Sequence, residues 1–272
     1  MGSANRRIGF IGAGNMATAL IKGTISSGLY APGMIKASDT DPDKIKRIHE
    51  EYDVDGVHSN KNLVELCDVI VLSVKPQVIN NVLNDIRDKI NKNHIVISIA
   101  AGIKISTIQS IIGIEVPVIR VMPNTPALIQ RGVSALAAGK NVSNEQMDIA
   151  HDIFNAVGAS FSVEEEMMDA VTAISGSGPG FIFKIMECFV EAAERQGFDS
   201  ETALLMIKNT FLGSAMLAEN SNNSLSDLRK MVTSPGGTTE AGLKYLDENR
   251  IEEIISGTIE TATERSVELG KK

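Results

Sequence analysis

The sequence predicts an α/β protein: an N-terminal Rossmann-like domain built on a parallel sheet, followed by an all-helical C-terminal domain. Three observations carry this. The first 160 or so residues alternate short β-branched runs with helical stretches, the signature of a parallel sheet covered by helices on both faces. A glycine-rich turn, GxGxxA, joins the first run to the first helix. After Glu164 the strand signals stop and only long helical stretches remain. At roughly 150 residues per domain, a chain of 272 residues fits two domains, which the change of character places at 1–164 and 165–272.

In order, Arg7 to Ile11 is a short apolar run ending in glycines, Ala17 to Ser27 reads as a helix, and Met34 to Ser38 as a second strand. Pro42 to Tyr52 is helical, with its proline near the first turn, where a missing N–H costs nothing. Val69 to Val74 and Ile95 to Ile99 are apolar runs, each interrupted by a single serine (Ser73, Ser98), of the kind needed by strands buried on both faces. Val78 to Ile90 is the helix between them. Val116 to Met122, Val133 to Ala138 and Ser160 to Val163 are candidates for further strands. The second half holds helical stretches over Gly180 to Gln196, Glu201 to Glu219, Thr239 to Glu248 and Arg250 to Leu269. Between Glu201 and Glu219 the only charged residue is Lys208. A helix apolar nearly all round must be covered on every side, and a second subunit is the economical cover.

Composition excludes several classes. With 26 Lys and Arg against 34 Asp and Glu, and no Trp, the chain is a poor partner for nucleic acid or an anionic membrane. The longest apolar run, Ile95 to Ile103, is far too short to span a bilayer. The lack of a hydrophobic signal segment after Met1 points to the cytoplasm, and Arg6 stands where a myristoylation motif at Gly2 needs Ser or Thr. Two cysteines and four scattered histidines offer neither a disulfide framework nor metal-ligand spacing, so no metal site is expected.

The turn Gly9-Phe-Ile-Gly12-Ala-Gly14-Asn15-Met16-Ala17 predicts dinucleotide binding. Gly12 allows the tight turn, Gly14 lets a pyrophosphate approach the backbone, and Ala17 permits close helix–strand packing. Ser38-Asp39, Val74-Lys75-Pro76 and Ala100-Ala101-Gly102 follow strands, where such a fold presents groups to its ligand. Lys75 can face a phosphate or simply be solvated. Asp39, at the end of the second strand, suits the 2′-hydroxyl of NAD and repels a 2′-phosphate. If Asp39 turns away, Ser38, Thr40, Lys36 and Lys44 can still build a phosphate pocket; its other role is a helix cap ahead of Pro42. Two loops, Ser175 to Gly180 and Thr233 to Thr239, place hydroxyls and free N–H groups at helix starts, which suits either a ligand carboxylate or plain capping.

The motifs GFIGAGNMA, VKPQ, SIAAGI, MPNTPAL, SGSGP and SPGGTT, in that order, make the chain resemble the pyrroline-5-carboxylate reductase family from about Arg7 to Leu269. The resemblance implies hydride transfer from NADH or NADPH to the imine carbon of 1-pyrroline-5-carboxylate, giving L-proline, the last step of proline synthesis. It also implies a homodimer interlocked through the helical domain. Cofactor contacts then fall on Ile11, Gly12, Ala13, Gly14, Asn15, Met16, Asn60, Ser73, Val74, Lys75, Pro76, Ile99, Ala100 and Ala101. Substrate contacts fall on Glu165, Ser234, Gly236, Gly237, Thr238 and Thr239, with the Thr239 hydroxyl nearest the ring nitrogen. A family cofactor contact, commonly Asn, falls on Met231 and is not carried over. Reducing an imine needs no nucleophile or metal; holding the donor about 3–3.5 Å from the acceptor removes much of the barrier.

Two other families share parts of this pattern. A β-hydroxyacid dehydrogenase would use Lys184, and Gly178, Gly180 and Lys184 match that family's GxxGxGxxxKxxxN pattern, but Ser175 in place of its first Gly and Cys188 in place of its Asn break it. A non-catalytic cofactor-binding protein would show a damaged substrate loop, and this loop is intact.

Overall fold

The computed structural model describes residues 6–270, so Gly2 lies outside the described residues. It divides into two compact units, residues 6–177 with 262–270, and residues 178–261.

The first unit is an eight-stranded sheet. The strands are β1 (Ile8–Ile11), β2 (Ile35–Ser38), β3 (Asp55–Gly56), β4 (Val69–Leu72), β5 (Ile95–Ser98), β6 (Val118–Met122), β7 (Gly132–Ala138) and β8 (Gly158–Ser162). Their order is β3-β2-β1-β4-β5-β6-β7-β8. The helices α1 (Asn15–Ser26), α2 (Pro42–Tyr52), α3 (Asn60–Leu66), α4 (Ile79–Ile86), α5 (Ile105–Ile112) and α6 (Asn144–Asn155) connect them. Every pairing is parallel except β6 with β7, which is antiparallel. The exception to the expected parallel sheet has a simple cause. Only residues 123–131 lie between the two strands, and a parallel return needs a crossover of a dozen or more residues.

Two apolar layers clothe the sheet. Phe10, Leu20, Ile35, Ile97, Ile119 and Phe154 belong to one, and Ile70, Leu72, Leu83, Val96 and Ile108 to the other. Strands β1, β4 and β5 are buried at all four positions, as two-sided coverage demands. Local chemistry sets the helix starts. The Asp41 side chain accepts the Asp43 N–H ahead of α2, and Ser143 and Gln146 form a capping box on α6. The chain leaves β8 through α7 (Met168–Val171) into a π-helical turn, Thr172–Gly176. Asn124 fastens that turn: its Nδ2 donates to the Ser175 carbonyl at 3.1 Å, while its Oδ1 accepts the Val133 N–H at 2.9 Å. This gives the MPNTP and SGSGP motifs a shared structural task.

The second unit is helical: α8 (Gly178–Arg195), α9 (Ser200–Glu219), α10 (Leu225–Met231), α11 (Thr238–Glu248) and most of α12 (Ile251–Leu269). Asp199 caps α9 by accepting the Thr202 N–H. Phe189 of α8 and Phe211 of α9 meet edge to face at 5.5 Å. Yet Ala203 is the only buried residue of α9, and Leu205 and Leu212 are each 60% exposed within the single chain. Among the described residues, no helix is long and apolar enough to cross a membrane.

Candidate active site

The parallel register brings the predicted cofactor loops to one edge of the sheet. Ile11 lies level with Ser38 and Leu72, and Leu72 with Ser98, so the turns after β1, β2, β4 and β5 are neighbours. They are stitched together. Gly12 N–H donates to the Ser38 carbonyl at 2.8 Å, and the Ser73 hydroxyl donates to the Gly12 carbonyl at 2.6 Å. Ile99 N–H donates to the Leu72 carbonyl at 3.1 Å, and Ala100 is buried beside it. Pro76 opens a short 3-10 turn, and the Lys75 side chain preceding it is exposed.

The two glycines of the turn differ in kind. Gly12 has φ +98°, and a Cβ there would lie 2.6 Å from the Ser73 carbonyl oxygen, so the protein itself forbids a side chain. Gly14 has φ −78° and ψ −176°, a conformation open to any residue, and a Cβ there would meet nothing within 4 Å. No internal demand of the fold explains Gly14. It stands at the N-cap of α1, followed by the free N–H groups of Asn15 and Met16, and no side chain caps that end. That open cradle at a helix start fits a dinucleotide pyrophosphate.

Asp39 is more committed than a ribose reader need be. Its side chain is 10% exposed; Oδ2 accepts the Ala13 N–H at 2.7 Å and Oδ1 accepts the Asp41 N–H at 2.9 Å. The Lys44 ammonium lies 3.3 Å from Oδ1. Burial acts to raise its pKa, but these two backbone donors and Lys44 together hold it below the ordinary 3.8. Asp39 thus latches the glycine turn to the start of α2. Asn60, the first residue of α3, is likewise oriented: Oδ1 accepts from the Ser38 hydroxyl at 2.9 Å, and Nδ2 donates to Asp85 at 3.2 Å. Asp85, on α4, had no motif to announce it.

Glu165 belongs to the same unit. Its Oε1 accepts the first N–H of α5, from Ile105, at 2.8 Å and faces the Arg120 guanidinium at 3.3 Å. Sequence reasoning passed over Arg120, which is 5% exposed. Its signal was there: it is the lone charge in the apolar strand Val118–Met122, and a buried charge needs a partner.

The remaining predicted substrate residues lie in the second unit, around the start of α11. Gly236 adopts φ +72°, and Gly237 N–H closes a turn onto the Ser234 carbonyl at 2.9 Å. Gly237 is the N-cap of α11, and no side chain caps the helix. Among the described residues, the Thr238 and Thr239 hydroxyls make no hydrogen bond, so neither is spent on capping. Lys184 is two-thirds exposed and pairs with Glu187 at 3.4 Å, which raises its pKa above the ordinary value. Cys67 is buried, and that burial pushes its thiol up to about 12, far from a nucleophile's range.

A Rossmann-like sheet with an open glycine turn at its carboxyl edge defines a dinucleotide-binding protein. Residues 7–102 match the family model described as NADP oxidoreductase, coenzyme F420-dependent, and residues 165–269 match the one described as pyrroline-5-carboxylate reductase dimerisation. The pyrroline-5-carboxylate reductase of Methanosarcina acetivorans is 40% identical over 268 residues, covering 98% of this chain and 99% of the relative. That of Pseudomonas aeruginosa is 40% identical over 267 residues, covering 98% and 97%. Among solved structures, a pyrroline-5-carboxylate reductase from Coxiella burnetii superposes with a TM-score of 0.93 at 37% identity, covering 97% of this chain and 98% of that one. The Plasmodium falciparum enzyme with NADP bound gives 0.85 at 30%, covering 98% of each. The chain belongs to the pyrroline-5-carboxylate reductase family.

Proposed function

We propose that this chain reduces 1-pyrroline-5-carboxylate to L-proline with NADPH or NADH, the last step of proline biosynthesis, and that it does so by positioning substrate rather than by activating a nucleophile. The observation that carries the assignment of roles is the start of α11. There a run of free N–H groups stands beside two threonine hydroxyls that the fold itself does not use.

When bound, the reduced nicotinamide supplies hydride to the imine carbon. The chain's own residues do the rest. The N–H groups of Thr238, Thr239 and Glu240, unpaired within the helix, hold the substrate carboxylate at the positive end of α11. The Thr239 hydroxyl bonds the ring nitrogen, keeps its proton in place and settles which face of the ring is offered. Glu165, with Oε1 bound to Ile105 and Arg120, keeps Oε2 for the substrate. The open cradle at Gly14, Asn15 and Met16 receives the pyrophosphate; Ile11, Gly12, Ala13, Ser38, Asp39, Asn60, Ser73, Val74, Lys75, Pro76, Ile99, Ala100 and Ala101 complete the cofactor cleft.

The exposed apolar surface of α9 is covered by a second copy of the chain in an interlocked homodimer, which operates in the cytoplasm. We take the functional division at 164/165, a reading supported by the dimerisation match over residues 165–269 and distinct from the division of compact units after Ser177. The test is oxidation of reduced cofactor on adding 1-pyrroline-5-carboxylate, compared in wild type, Thr239→Ala and Lys184→Ala. Loss in Thr239→Ala with full activity in Lys184→Ala is expected. Loss in Lys184→Ala with full activity in Thr239→Ala would transfer the role to a lysine acid.

A further inference from the structure

Glu240 does something at the substrate loop that the reaction does not ask for. It is the third residue of α11, and its Oε2 accepts the Gly236 N–H at 2.7 Å, a charge-assisted contact. The protein therefore places a carboxylate of its own on the Gly236 N–H, inside the loop assigned above to the substrate but beside, not on, the N–H groups that hold its carboxylate. The N–H groups of Thr238, Thr239 and Glu240 open at that same helix end, so two anions are directed to one short stretch of backbone. Charge near a helix start is favourable once. A second carboxylate must either displace the first from Gly236 or bind close beside it.

We infer that Glu240 is a built-in competitor for the carboxylate of substrate and product, loosening both. The inference rests on the reading that residues 234–239 hold that carboxylate. Its size follows from Coulomb's law: two unit charges about 4 Å apart in water repel by an amount worth about fivefold in affinity. The repulsion acts on bound substrate and on the reacting complex alike, so it moves KM rather than kcat. It also hastens release of proline.

Glu240→Gln keeps an acceptor for Gly236 and removes the charge. Steady-state rates with 1-pyrroline-5-carboxylate varied at saturating cofactor should give a KM about fivefold lower. The inhibition constant of L-proline should fall by a similar factor, with the KM for cofactor unmoved. Glu240→Ala removes the acceptor as well and should still lower KM; a rise would show that Glu240 is only an anchor of the Gly236 turn. 1-Pyrroline, which lacks the carboxylate, provides the internal control: its KM should be the same for wild type and Glu240→Gln. If Glu240→Gln leaves both constants unchanged while Thr239→Ala still cuts turnover, the competitor is refuted and the loop stands. If neither substitution has any effect, the loop assignment falls with it.

Discussion

The two glycines of the dinucleotide turn should respond to the same substitution in opposite ways. Gly12→Ala places a methyl at φ +98°, a conformation costing about 1–3 kcal/mol for a residue with a side chain. It also drives that methyl to 2.6 Å from the Ser73 carbonyl oxygen and 2.9 Å from Val74, an overpacking worth about 1–3 kcal/mol more. A total near 4 kcal/mol corresponds to a Tm lower by about 8–16 °C for a domain of this size. Gly14→Ala meets neither cost, since its φ of −78° is ordinary and nothing lies within 4 Å of the new methyl. Losing a glycine N-cap costs about 0.5 kcal/mol, and the smaller entropy of the unfolded chain returns a similar amount. Its Tm should stay within about 2 °C of wild type. The methyl instead projects over the free N–H groups of α1, where the phosphates dock, and should weaken cofactor binding by about 10- to 100-fold. Thermal unfolding without cofactor and a fluorescence titration of reduced nicotinamide measure the two effects separately. Equal loss of Tm in both variants, or wild-type cofactor affinity in Gly14→Ala, would refute the claim that Gly14 is kept open for a ligand.

Other outcomes follow from the same contacts. Thr239→Ala should lower turnover by roughly 100-fold with little change in cofactor affinity, and turnover within twofold of wild type would remove Thr239 from the chemistry. Asp39→Ser removes the charge that repels a 2′-phosphate and frees Lys44, so the ratio of kcat/KM for NADPH over NADH should rise; an unchanged ratio would mean that Asp39 only latches the turn. Because the folded pKa of Asp39 is depressed, its stabilisation is fully present above the ordinary carboxylate value and is lost as pH falls through the lower folded value. Urea unfolding of wild type and Asp39→Asn should therefore differ at neutral pH and converge in strong acid; a constant gap would contradict the assignment. Sedimentation should find at least a dimer at micromolar concentration, since a folded monomer of 29.1 kDa would leave the apolar surface of α9 uncovered.

What the sequence revealed, and what it hid, follows from how each feature is encoded. Strands β1, β4 and β5 were legible because two-sided burial writes a nearly unbroken apolar run, and the glycine turn because its residues sit at fixed offsets between strand and helix. The antiparallel turn-back of β7 was missed: its direction depends on the length of the preceding loop, which side-chain pattern does not show. Strand β3, two residues long, is too short to carry a period. The partners of site residues were the hardest to see. Arg120 lies 45 positions from Glu165, and Asp85 lies 25 from Asn60. Only the folded chain pairs them. The latch from Asp39 to Ala13 was hidden in the same way, behind two readings that local sequence could not separate.

The central claim is that this chain moves hydride from a reduced nicotinamide to the imine carbon of 1-pyrroline-5-carboxylate. The direct measurement supplies cofactor deuterated at the transferring position of the nicotinamide ring and examines the proline formed by mass spectrometry and NMR. The account predicts one deuterium per proline, on the ring carbon that had been the imine carbon, formed mole for mole with cofactor oxidised and at a rate roughly 100-fold lower in Thr239→Ala. Cofactor oxidation without proline, or proline without the label at that carbon, would contradict it.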